Sequence, residues 1–200
     1  MIPLAESTRE EYHEMSEKKK WKPLDLAYIG LFVALMAICS WINIPTAVPF
    51  TLQTFAVFAA VSMLGLSRGT AAVVIYIILG TVGVPVFAGF SGGYGVVLGL
   101  TGGYIVGFIF TALVTGGVMK VFGKKIPVMI IAMLLGLAAL YAFGTAWFIY
   151  AYSRDNGAIS VMAALSMCVF PYIIPDCLKI ALAIVLDKRL AGRQIYRRIG

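Results

Sequence analysis

Residues 24–44 read LDLAYIGLFVALMAICSWINI, and this stretch decides the fold class. A helix rises roughly 1.5 Å per residue, so here it reaches about 30 Å, the thickness of a bilayer's hydrocarbon core. Pro45 and Pro49 stop it, and the linker that follows through Thr54 carries no charge.

Outward from this span, apolar runs recur. The second, 51–66, ends at Ser67-Arg68-Gly69, and the third, 70–84, ends at Pro85. Both are short for a lipid-facing helix, which predicts that they lie among other helices or bear loops that dip into the membrane. A glycine-rich stretch, 87–93, precedes the fourth run, 94–122, which Gly123-Lys124-Lys125 closes. The fifth, 127–152, ends near Arg154 and Asp155. Pro171 and Pro175 break the last region, 158–190, into a short helix, a bend and a final span over 172–186. Six crossings result.

Composition points the same way. Of the 200 residues 61% are hydrophobic and 12% charged, against about 45–50% and about 25% in soluble domains. The mean hydropathy is +0.95. An ordinary cytosolic globule is excluded, and with 12% aromatics and no short repeat so are disorder, collagen and coiled coil. The net charge of +7 does not imply nucleic acid, because the basic residues cluster at the ends of apolar runs instead of lining one element. Fourteen of the sixteen lie before the first run, between the second and third, between the fourth and fifth, or after the sixth. By the excess of cytoplasmic Lys and Arg, both termini are cytoplasmic. The chain reads as an all-α, multi-pass plasma-membrane protein: a polar tail over 1–22, a domain of six transmembrane helices over 23–190, and a basic C-terminus over 191–200. The tail does not have the form of a cleaved signal. Glu14 and Lys18 allow a short helix before Trp21, beside the alternative of a frayed segment.

Two ionisable residues stand well inside apolar sequence, Asp176 and Lys179 in PYIIPDCLKIALAIVL (171–186). Each costs about 2.5–3.5 kcal/mol at a helix centre, so a purpose is expected for both. Three residues apart, they share a helix face, and Asp176 follows Pro175 in a first turn where the helix dipole favours an anion. Either they form an ion pair that fixes packing or they contact a ligand. A carboxylate beside an ammonium suits a small polar head with both N–H and C=O groups. A proton relay is not indicated, since no second intramembrane acid is read on another span.

Other polar candidates at the same level are Thr51, Gln53, Thr54, Thr101 and Tyr104. Gln53 matches an amide or ureide edge; Thr51 and Thr54 read better as helix caps or interhelical hydrogen-bonding groups. Phe50, Phe55, Phe87, Phe90 and Tyr94 are candidates to wall an apolar cavity, while Trp21 and Tyr152 fit an interfacial belt. Glycines crowd the stretch from 89 to 107, Gly92 and Gly93 among them, and permit close backbone approach or a flexible lid. No phosphate-loop motif occurs, so ATP-driven transport requires another subunit. Gly30 and Ala34 make a small-residue helix face that either packs within the bundle or docks a partner. Cys39, Cys168 and Cys177 lack metal or disulfide spacing, and His13 lies in the tail, so neither a metal nor a resident cofactor is expected.

The runs VPFTLQTFAV (48–57), YIILGTVGVPVFAGFSGGYGVVLGLTGGYIVGF (76–108) and FPYIIPDCLK (170–179) resemble, in that order, the BioY family, the biotin-specific S components of energy-coupling factor (ECF) transporters. The likeness spans about 24–190. It implies six transmembrane helices and a biotin pocket near the outer surface, covered by the loops after the first and third helices. It further implies that Asp176 and Lys179 hydrogen-bond the ureido ring, with Gln53 and Tyr104 as further polar contacts, and that the stretch from Phe87 to Tyr94, with Phe90, Gly92 and Gly93, packs over the bicyclic ring as a gate. The Gly30/Ala34 face would dock the transmembrane T subunit, and two ABC-type ATPases would drive reorientation. The alternatives are an S component for riboflavin or thiamine, or an intramembrane enzyme using Asp176 as acid or base. The enzyme reading needs a second catalytic group, and the sequence offers none.

Overall fold

Helix α1 (Pro23–Trp41) starts where Pro23 lacks only an N–H that the first turn leaves unused, and where the Asp25 carboxylate accepts the Lys22 backbone N–H at 2.9 Å. The structure, a computed structural model, describes residues 21–46 and 48–191. Expectations for His13, for a Glu14–Lys18 helix and for the C-terminal tail fall outside those residues. Beyond α1 the uncharged linker forms a small antiparallel hairpin, with β1 (Asn43–Ile44) paired to β2 (Phe50–Thr51). Strands of two residues are too short for an alternating pattern to register in sequence.

Helix α2 (Gln53–Thr81) joins the second and third expected runs. It is not straight. Gly65 has φ +80° and ψ 177°, and a Cβ on Gly69 would lie 2.7 Å from the Val61 Cα, whereas a straight helix would separate those residues by about 12 Å. The chain therefore folds back at Gly65 into two packed arms. The first arm is buried nearly all round, from Gln53 to Leu64, as its shortness predicts.

The fourth expected run is divided into α3 (Tyr94–Leu98) and α4 (Gly102–Phe122). The break falls where Gly99 is extended and where a Cβ on Gly102 would lie 1.7 Å from the Val97 carbonyl oxygen. Helix α5 (Ile126–Asn156) runs past the expected end at 152. Ser160 caps α6 (Val161–Cys168), its hydroxyl accepting the Ala163 N–H at 3.2 Å. A 3-10 turn carrying Pro171 (Phe170–Tyr172) then leads into α7 (Ile173–Ala191), giving the expected short helix, bend and final span.

Among the described residues five segments are long and apolar enough to cross a membrane: Pro23–Trp41, Gln53–Thr81, Gly102–Phe122, Ile126–Asn156 and Val161–Leu190. The sequence has six runs where the structure has five such segments, because the second and third runs are the two arms of α2. Only 33–44% of each apolar window is buried, and the remainder presents Leu31, Ile78, Ile131 and Leu182 outward. Apolar surface on that scale needs lipid as its solvent. Inside, α4 lies along α5 while α2 packs against α1, α4 and α7. Tyr76, Phe58, Phe148 and Met36 fill the centre.

Charges separate along the bundle. Arg68 lies just past the α2 fold-back, Lys124 and Lys125 in the α4–α5 turn, and Lys188 and Arg189 near the end of α7, with the Lys188 ammonium donating to the Lys124 carbonyl at 2.7 Å. Burial pulls the Lys124 ammonium below its ordinary range, against the attraction of Asp187. At the opposite end of the bundle stands the exposed Arg154–Asp155 pair, 3.1 Å apart.

Candidate functional site

At the end of the bundle away from those lysines, the hairpin, the start of α2, the loop after α2, α4, α5 and the α6–α7 bend enclose a cavity of about 150 Å³. Its lining includes Thr51, Gln53, Thr54, Phe87, Thr101, Tyr104, Asp176 and Lys179, eight of the residues singled out in the sequence. Tyr141 and Tyr172 also face it.

Asp176 and Lys179 pair with each other, as the first of the two alternatives has it, and both also line the cavity. Lys179 Nζ stands 2.8 Å from Asp176 Oδ1, and each side chain is 5% exposed. The second carboxylate oxygen, Oδ2, accepts the Tyr141 hydroxyl at 2.5 Å. The Lys179 ammonium also lies 4.4 Å from the centroid of the Phe50 ring on β2, a cation–π contact that ties the pair to the hairpin. Tyr172, from the bend, donates to the Val48 carbonyl and sits 2.7 Å from the Thr46 hydroxyl, holding the same hairpin over the site.

Gln53 is buried, and its Nε2 has no hydrogen-bond partner among the described residues. A buried N–H left unsatisfied costs about 1–3 kcal/mol, so this amide is set for an acceptor that the described residues do not supply. The Thr51 hydroxyl accepts the Gln53 backbone N–H at 3.3 Å from β2, one residue before the N-cap Leu52, and Thr51 lines the cavity wall. The Tyr104 hydroxyl lies 2.9 Å from Thr145 Oγ1. Its ring fits because residue 144 is glycine: a Cβ there would lie 2.4 Å from ring carbons.

Phe90, Tyr94, Gly92 and Gly93 do not line the cavity. Phe90 is 63% exposed and stacks on Trp41 at 4.9 Å, with a left-handed φ of +56°. Tyr94 is 73% exposed. A Cβ on Gly92 would lie 2.5 Å from the Val84 carbonyl oxygen, and the Gly93 N–H donates to the Gly80 carbonyl at 2.7 Å. The loop they belong to is anchored to the bundle: Tyr76 donates to the Val86 carbonyl and Trp41 to the Pro85 carbonyl, each at 2.8 Å. The Phe87 ring meanwhile fills the space over Gly80. Gly30 and Ala34 are exposed, and a Cβ on Gly30 would meet nothing within 4 Å. That face points out of the bundle, which removes the reading that it packs inside.

Tyr141, Tyr172, Asp25 and Asp187 escaped the sequence reading. Tyr141 carried a signal, since a tyrosine midway along a span cannot belong to an interfacial belt. Asp25 is buried 3.2 Å from Arg68 Nε, and Asp187 is buried near the end of α7. Each stands close to basic residues at a run's end, where charge looks ordinary. Both are buried acids that the sequence reading did not weigh, Asp25 in the first turn of α1 and Asp187 on the same helix as Asp176.

A family model described as the BioY family matches residues 15–195. The biotin transporter BioY of Thermotoga maritima is 37% identical over 169 residues, covering 84% of this chain and 96% of that protein. The probable biotin transporter BioY of Pyrococcus horikoshii is also 37% identical, over 172 residues covering 86% and 98%. Among solved structures, the S component for biotin from an ECF-type ABC transporter superposes with a TM-score of 0.77 at 28% identity, covering 88% of this chain and 94% of that one.

Proposed function

The chain belongs to the BioY family, and from that premise we propose that it is the biotin-binding S component of an ECF-type uptake transporter. It is a transporter subunit of the cell membrane, not an enzyme, in keeping with relatives that are biotin transporters. The observation that carries the ligand reading is one cavity holding a buried Asp176–Lys179 pair and the unpartnered Gln53 Nε2. Asp176 offers lone pairs to ligand N–H groups, and Lys179 and Gln53 offer protons to a carbonyl, which is the pattern of a cyclic urea. Tyr104, Thr51 and Phe87 complete the wall around the rings. Phe90, Tyr94, Gly92 and Gly93 act one layer out, in the loop that backs Phe87.

The arms of α2 count as two crossings in this reading, for six in all. The domain runs over 23–190, between the tail 1–22 and the C-terminus 191–200. Both termini are cytoplasmic, as the basic residues at the end away from the cavity indicate. Biotin enters from outside. The outward Gly30/Ala34 face docks the T subunit, and ABC-type ATPases supply the energy that no motif of this chain provides.

Equilibrium binding of biotin to the detergent-purified chain, with riboflavin and thiamine as competitors, tests the assignment. Saturable binding of biotin that excess riboflavin or thiamine leaves intact is expected. No saturation at micromolar biotin, or displacement by either competitor, overturns it.

A further inference from the structure

A carboxylate fixed at both oxygens behaves differently from one fixed at a single oxygen, and Asp176 is fixed at both. Lys179, one helical turn away on α7, holds Oδ1, while Tyr141, from the middle of α5, holds Oδ2 at 2.5 Å. An ion pair within one helix leaves a carboxylate free to swing with its partner; a donor from a second helix removes that freedom. Each oxygen keeps a lone pair beyond these two bonds. The single Tyr141 proton goes to Asp176, so both groups have only acceptor capacity left for a ligand, while Gln53 Nε2 and Lys179 Nζ on the same cavity lining are donors.

We propose that Tyr141 is the positioning residue that holds Asp176 in the one orientation in which it accepts the ligand's N–H. The inference rests on the biotin reading above and adds a residue to it from a helix to which neither the sequence motifs nor the family resemblance assigns a ligand role. Tyr141 acts through Asp176, so its contribution exists only while Asp176 can accept a hydrogen bond as a carboxylate.

A double-mutant cycle on the full chain in detergent tests this, with Kd for biotin measured for wild type, Tyr141→Phe, Asp176→Asn and the double variant. Tyr141→Phe is expected to weaken binding about tenfold while the unfolding temperature stays near that of wild type. In the Asp176→Asn background the same change is expected to cost less than about twofold. A general packing role for Tyr141 would instead multiply its full effect onto Asp176→Asn. That result, or Tyr141→Phe binding biotin within about twofold of wild type, overturns the proposal. Tyr141→Leu, read in the same cycle, serves if the phenylalanine variant does not fold. Absence of biotin binding by the wild-type chain overturns the functional assignment and this inference with it, whereas binding indifferent to Tyr141 overturns this inference alone.

Discussion

An ammonium and a carboxylate 2.8 Å apart at 5% exposure are stable only together, since removing one partner of a buried pair costs about 3–5 kcal/mol. Asp176→Ala and Lys179→Ala are each expected to weaken biotin binding at least tenfold, equivalent to about 1.4 kcal/mol, measured by titration in detergent. Normal affinity in both variants would make the pair purely structural. Gln53 should behave in the opposite way toward stability. Its Nε2 bonds nothing among the described residues, so Gln53→Leu is expected to leave the unfolding temperature of the ligand-free protein unchanged or raised, yet to weaken biotin about tenfold. A drop in stability with intact binding would place its function in the fold. At this scale the sequence was readable where charge is improbable: Asp176 and Lys179 stand out in apolar surroundings. Tyr141 offered only its mid-span position, which names no partner, and its aim at Asp176 depends on how α5 packs. Phe90 and Tyr94 misled for a related reason, since which side of a loop faces inward is set by the bonds that anchor it and not by its composition.

Helix lengths follow from prolines and charges, so α1, α5 and α7 lie close to their expected bounds. The fold-back in α2 was less legible. Ser67-Arg68-Gly69 marked a break, but the turn occurs at Gly65, whose φ of +80° only the conformation itself discloses. At φ +80° and ψ 177°, a combination essentially confined to glycine, a side chain costs about 1–3 kcal/mol, and Gly65→Ala is expected to lower the unfolding temperature in detergent. Gly30 provides the contrast: it has an ordinary φ and open space around it, so Gly30→Ala is expected to be neutral or stabilising in the same assay. Gly144→Ala would reach binding through packing instead, by pushing its Cβ into the Tyr104 ring. The expected result is weaker biotin binding, and an unchanged Kd would show that Tyr104 can move aside without consequence.

For the whole molecule the separation of charges and of polar sites matters most. The cavity occupies one end, the lysine-rich turns the other, and the outward face of α1 runs along the side. Replacing Gly30 and Ala34 together by leucine is expected to spare biotin binding by the isolated chain and to abolish ATP-driven uptake by the assembled transporter. Uptake at the wild-type rate would place the partner on another face. One helix spans both ends. Asp176 and Asp187 on α7 are both buried. The eleven positions from one to the other amount to three turns plus about 20°, so both acids lie on a single stripe about 16 Å long. Sliding α7 by one residue in register would swing both some 100° away from the packed face that buries them. The helix is thereby keyed against rotation about its own axis. Any tilting of this protein in the bilayer must carry α7 along as a rigid rod, so that motion at the lysine-rich end is transmitted to the ligand's end without slippage.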